Sequence, residues 1–113
     1  MNKGDIMINV AVDRKTWYRG KGMAESRLLR PDGQKCCIGF LGIELGACEG
    51  DLLDIDILDD VEVKATKEFR DKHNGGLTEA YVVNDDRDIT EAAREEQLIV
   101  IGQLMDVNFY FIN

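Results

Sequence analysis

The sequence predicts an α+β fold, a small, mostly antiparallel sheet packed against two main helices. Three observations point to it. Apolar and polar residues alternate with period two near both ends, from Ile6 to Val12 and from Val107 to Ile112. Residues 38–47 and 91–105 switch to the three-and-four spacing of a helical face. Between these signals, Arg30-Pro31-Asp32-Gly33 separates two short strand-like runs. The 113 residues favour a single domain over 1–113 and can bury a core without disulfide or metal staples.

The first strand places Ile6, Ile8, Val10 and Val12 on one face and ends in the charged turn Asp13-Arg14-Lys15. Trp17-Tyr18-Arg19-Gly20-Lys21-Gly22 follows, and two glycines so close together make it a loop. Ser26–Arg30 and Gln34–Cys37 read as the two strands of a hairpin. Pro31 presets φ, Asp32 bonds back to the main chain and Gly33 accepts a positive φ.

In 38–47, Ile38, Leu41 and Leu45 share one helical face, and Gly39, Gly42 and Gly46 share another. An interior glycine costs about 1 kcal/mol relative to alanine, so three of them need a compensating contact. The expectation is a buried helix with a neighbouring main chain pressed against its glycine face.

Residues 51–60 alternate acid and aliphatic in part, as an edge strand or an ordered loop would. Val61–Thr66 reads as a strand. Lys67–Gly76 ends in the breaker Asn74-Gly75-Gly76, and Leu77–Val83 reads as a short helix or a strand, the helix favoured because Leu77 and Tyr81 are four apart, stopped by Asn84-Asp85-Asp86. Asp88 or Thr90 caps a helix over 91–105, whose core stripe is Leu98, Ile101 and Met105 with Leu104 beside it. The closing strand, Val107–Ile112, turns Phe109 and Phe111 to one face and Tyr110 to the other.

Charge narrows the function. The net charge is -8, which disfavours direct binding to a nucleic-acid backbone. It is also unevenly placed. Residues 1–35 carry eight Lys/Arg against four Asp/Glu, whereas 44–62 carry eight Asp/Glu and no Lys/Arg. Ends of opposite sign can attract within one chain or between copies, so self-association is one expectation. The start, MNKGDIMINV, has one early lysine and no long apolar run, so no signal peptide, anchor or membrane association is expected. Three cysteines without a secretory segment point to a reducing, cytoplasmic setting.

Candidate chemistry is sparse. Cys36 or Cys37 with His73, the single histidine, forms no known nucleophile signature. On a strand, adjacent cysteines face opposite ways, so one is expected in the core and the other outside it. Cys36, Cys37, Cys48 and His73 make a poor zinc set, because two ligands are adjacent. The acidic stretch lacks the glycine and terminal glutamate of an EF-hand. Neither metal nor cofactor is expected, and the balance leans away from an enzyme. The Trp17–Gly22 loop has two readings. In one, Trp17 plugs the core edge and the glycines supply turn angles. In the other, Arg14, Trp17, Arg19 and Lys21 grip an anionic ligand such as a nucleotide.

The pattern W-x-R-G-x-G (Trp17 to Gly22) continues through Ser26, Leu28-Leu29, Gly33 and Cys36-Cys37-x-Gly39. It resumes with Asn84-Asp85, Thr90 and Arg94-Glu95. Over residues 8–46 and 77–112 it resembles a group of small bacteriophage and prophage proteins. The resemblance implies a mobile-element origin and an intracellular setting, with no activity or site to carry over. Three functions follow as expectations. The first is a non-enzymatic accessory protein that binds a host protein through Asp51, Asp54, Asp56, Asp59 and Asp60. The second is a small-molecule or nucleotide binder, or a small enzyme, using the Trp17–Gly22 loop. The third is a self-assembling structural phage protein.

Overall fold

The structure, a computed structural model, describes residues 7–113. Ile6 of the first expected strand lies outside the described residues. The element order is β1 (Ile8–Asp13), α1 (Cys37–Glu44), α2 (Glu49–Leu52), a 3-10 turn (Leu58–Asp60), α3 (Lys64–Asp85), α4 (Glu91–Leu104) and β2 (Val107–Ile112). The α+β class holds, with the sheet's arrangement corrected. Among the described residues the sheet has two strands, and β1 pairs with β2 in parallel, Ile8 opposite Val107 and Asp13 opposite Ile112.

The alternating pattern settles which face of the sheet is buried. Val10, Val12, Val107 and Phe109 are buried on one face, while Asn9 and Tyr110 are exposed on the other. Antiparallel pairing would have followed from a hairpin or meander. Here the strands are the two ends of the described chain, joined by a long helical crossover, which is the connection parallel strands require.

The expected 26–37 hairpin forms its turn but not its ladder. Gly33 N–H donates to Arg30 O, Arg30 N–H to Gln34 O and Cys36 N–H to Arg27 O. Each limb then finds a different partner. The return limb pairs in parallel with the chain at Trp17, Tyr18 N–H donating to Lys35 O and Lys35 N–H to Thr16 O. The outgoing limb pairs in parallel at Leu29 with Leu53 of the acidic segment. That single bridge is all the strand character 51–60 has; the rest is helical turns and loop.

The expectation of a main chain pressed against the glycine face of α1 holds at one position of three. A Cβ at Gly39 would stand 1.8 Å from the Leu28 carbonyl oxygen, so the main chain does press there. At Gly42 the close neighbour is a side chain, Leu52 Cδ2 at 3.1 Å. Gly46 is exposed with nothing within 4 Å of its missing Cβ, and it has φ +105°. It lies just beyond the helix, where a positive φ turns the chain away, and carries no packing.

Two further expectations are corrected in α3. Val61–Thr66 is not a strand, because the helix begins at Lys64. The break expected at Asn74-Gly75-Gly76 falls just before it, at a kink at His73, φ −127° and ψ 29°, where two helical segments join, and Asn74-Gly75-Gly76 is itself helical. Gly76 lets the helix approach α4's end closely, since a Cβ there would meet Met105 Cγ at 2.7 Å. Burial of Phe69 and Leu77 on either side of the kink favours continuing the helix. Helix α4 behaves as read: Thr90 Oγ1 accepts from Ala93 N–H, and Leu98, Ile101 and Met105 are buried. Leu104, by contrast, is 76% exposed. Among the described residues no helix is long and apolar enough to cross a membrane.

Candidate functional site

The residues of the W-x-R-G-x-G, C-C-x-G, N-D and R-E pattern meet at the C-terminal end of α3. Asn84 is fully buried there. Its Oδ1 accepts from Trp17 Nε1–H at 2.7 Å and from Cys37 N–H at 2.9 Å. Its Nδ2 donates to Tyr18 O at 3.0 Å and to Asp85 Oδ1 at 2.9 Å. One amide thus ties the loop, the start of α1 and the end of α3 together. A buried polar group so fully satisfied specifies one arrangement of its neighbours.

Arg94, 2% exposed, completes the junction from α4. Its Nη1 donates to the carbonyls of Val83, Asn84 and Asp86, the first and last at 2.8 Å, and its Nε to Glu91. A cation at the end of a helix satisfies carbonyls the helix cannot and opposes its dipole. Gly20 N–H and Gly22 N–H donate to Asn84 O and Asp85 O, so the loop caps the same end.

The four residues of the anion reading are therefore engaged within the chain. Trp17 is 2% exposed and stacks at 5.1 Å on Phe111. Arg14 makes a two-point pair with Glu95, at 2.8 and 2.7 Å. Arg19 pairs with Glu91, donates to the Arg14 and Trp17 carbonyls and lies 4.5 Å over the indole ring. Lys21 is exposed, with its amine 5.5 Å from the Tyr18 ring. Burial raises the Glu91 carboxyl, but hydrogen bonds from Arg19 and Arg94 outweigh it and hold the carboxyl below its ordinary range. The first reading of this loop, a plug with turn glycines, describes what these residues do.

The cysteines are corrected as well. Cys36 and Cys37 are both buried, because they start a helix rather than occupy a strand. Burial pushes the Cys36 thiol up to about 12 and Cys37 well above the usual thiol range. Thiols so held are protonated and poorly nucleophilic at neutral pH. Cys48 is exposed at the start of α2, its Sγ 3.1 Å from Asp51 Oδ2. His73 rests on the Phe69 ring at 4.6 Å, and burial together with Lys72 lowers its proton affinity. Among the described residues no three His, Cys, Asp or Glu side chains are grouped to hold a metal.

Asp51, Asp54, Asp56, Asp59 and Asp60 are all exposed, but they do not form one cluster of like function. Asp51 caps α2 through Cys48 N–H, and that hydrogen bond lowers its carboxyl. Asp54 sits at φ +59° and donates its N–H to Leu29 O. Asp56 pairs with Arg27 at 3.0 Å, and Asp59 lies 3.9 Å from Arg70. Asp51, Asp54 and Asp60 have no ion-pair partner among the described residues.

Sequence reasoning missed an apolar opening. Helices α3 and α4 leave a groove of about 480 Å³ between them, walled by Val82, Val83, Val100 and Ile101 and edged by Glu79 and Glu96. Val82 is 63% exposed and Val100 54%. Val82 also walls two neighbouring hollows, one beside Asp85 and Arg87 and one beside Asp56, Asp59 and Asp85. The available signal was Thr78 with Val82 and Gln97 with Val100 at helical spacing.

Comparison of the chain with protein-family models, with curated proteins and with solved structures finds no match.

Proposed function

We propose that the chain is a non-enzymatic phage accessory protein that binds a host protein and modulates or inhibits it through an acidic surface. The observation that carries this reading is the set of exposed carboxylates between 44 and 62, a stretch of eight acids without a single Lys or Arg. Most of their charge is left uncompensated among the described residues, where only Asp56, Asp59 and Glu62 have cations nearby. An uncompensated acidic field attracts a basic surface and occupies it in competition with the polyanion that surface serves. The resemblance to small phage proteins supports the setting, and the host factor is then one that handles nucleic acid or defends the cell. The nucleotide-binding reading is not favoured, because Arg14 and Arg19 are already paired with Glu95 and Glu91.

The test is capture from a bacterial host lysate by the tagged chain. A parallel capture uses a variant with Asp51, Asp54, Asp56, Asp59 and Asp60 all changed to Asn. The reading expects a host protein that the parent retains, that moderate salt releases and that the variant fails to hold. A captured protein indifferent to both salt and the five substitutions would overturn it.

A further inference from the structure

We infer that the groove between α3 and α4 seats a cationic amphipathic helix of the partner protein. Its apolar stripe would lie on Val82, Val100 and Ile101, and its lysines or arginines would face the carboxylates at the rim. The inference rests on the acidic-surface reading and adds the place where the partner's apolar side chains go. Val82 and Val100 stand 63% and 54% exposed on facing helices, and Leu104, one turn beyond Val100, is 76% exposed. Val82 and Val100, left this open across a concave groove, mark a binding face more than a solvated one, and Leu104 extends the apolar surface beyond the groove.

The rim fixes the sign of the occupant. Glu79 and Glu96 edge the groove, and neither has an ion-pair partner among the described residues. In the adjoining hollow Asp85 is half-buried, and burial raises its carboxyl. A lysine or arginine laid along Val82 and Tyr81 would bring its charge to Asp85 while its methylenes cover apolar surface. Among the described residues Arg87 is the one cation lining these hollows, and its Nη2 is turned to Lys21 O.

The shape fixes the occupant's secondary structure. A trough between two packed helices receives a third helix whose apolar residues recur at i, i+3, i+4 and i+7. A second copy of this chain fits worse, because a two-fold pairing would set Glu79 and Glu96 against their own counterparts. An anionic bilayer is disfavoured by the same rim.

The probe is a synthetic peptide of roughly 18 residues, leucine at helical spacing and lysine elsewhere, long enough to form a helix on binding. Two controls accompany it: the same composition scrambled, and the stripe kept with glutamate in place of lysine. Binding is read by fluorescence anisotropy and by amide chemical shifts. The expected result is saturable binding of the lysine peptide, with shifts concentrated at Thr78, Val82, Gln97 and Val100. Both controls are expected to bind at least about tenfold more weakly. Val82→Lys with Val100→Lys is expected to weaken the lysine peptide by a similar factor while leaving the thermal midpoint near that of the parent, since both positions are exposed.

Equal binding by the scrambled peptide, or by the Val82→Lys/Val100→Lys variant, would overturn the groove. In that case loss of binding in the five-fold Asp→Asn variant leaves the acidic surface standing alone. Salt-sensitive binding that survives the five Asp→Asn changes, yet is lost with the two lysines, would overturn the acidic surface and keep the groove with its Glu79 and Glu96 rim. A failure of the lysine peptide to bind at all counts against the groove. So does a concentration-dependent dimer of the chain that the Val82→Lys/Val100→Lys variant abolishes.

Discussion

Replacing Asn84 by alanine removes one amide and leaves several groups without it. Trp17 Nε1–H and Cys37 N–H both donate to Asn84 Oδ1, and all three residues are buried. Each buried donor stripped of its acceptor costs about 1–3 kcal/mol, so the two together imply about 2–6 kcal/mol before any cavity term. Against a total stability of about 5–15 kcal/mol for a domain, the change removes a large share. Far-UV circular dichroism in urea is the suitable assay, because the companion variant Trp17→Phe removes the single tryptophan. In a double-mutant cycle the two changes should be coupled. Once the indole donor is gone, Asn84→Ala strands one fewer group, so the pair should cost about 1–2 kcal/mol less than the sum. Additive costs, or a loss below about 1 kcal/mol for Asn84→Ala, would refute the view that this amide holds the loop, α1 and α3 together.

Four more outcomes follow from the same geometry. Gly39→Ala should destabilise by more than about 3 kcal/mol in urea unfolding, since its Cβ would sit 1.8 Å from the Leu28 oxygen. Gly75→Ala, in a helix with open space around it, should instead add about 0.5–1 kcal/mol. Mass spectrometry after brief alkylation at mild alkaline pH should find Cys48 modified and Cys36 and Cys37 untouched, with all three modified in denaturant. Burial raises the Asp85 carboxyl above its unfolded value, so the folded state takes up this proton more readily. Asp85 therefore favours folding as pH falls and opposes it as pH rises through the raised value; an Asp85→Asn variant should lose that contribution to the pH profile, as measured by unfolding free energies between mildly acid and neutral pH.

What the sequence displayed and what it concealed divide along physical lines. Strand β1, helix α4 and strand β2 carry their own periodicity and caps, so Val10, Val12, Leu98, Ile101 and Phe109 read as core without knowledge of their neighbours. The close approach at Gly39 was legible because an interior glycine in an apolar helix needs a reason. Pairing direction was not legible, since nothing local in Ile8–Asp13 distinguishes a parallel partner from an antiparallel one. The 26–37 segment misled because its turn chemistry is real and Cys36 N–H still reaches Arg27 O, yet other main-chain hydrogen bonds beyond the turn are made with Thr16, Tyr18, Asp54 and Ile55. Asn74-Gly75-Gly76 misled for a different reason: Gly76 serves contact with Met105, and tertiary packing outweighs its helix propensity. At the candidate site, the cationic residues around Trp17 were visible while the acids that bind them, Glu91 and Glu95, lie more than seventy positions away. The groove was invisible because it exists only where two distant helices face each other.

The structural junction around Asn84 and Arg94 is distinct from the recognition face proposed for the acidic segment and the α3–α4 groove. Hydrogen exchange on the free chain and on its complex with the captured host protein tests that separation most directly. Slowed exchange over 44–62 and around 78–101, with 14–22 unchanged, is the predicted result. Protection confined to 14–22 would contradict it, because the loop would then be the contact and the paired arginines would have exchanged Glu91 and Glu95 for a ligand.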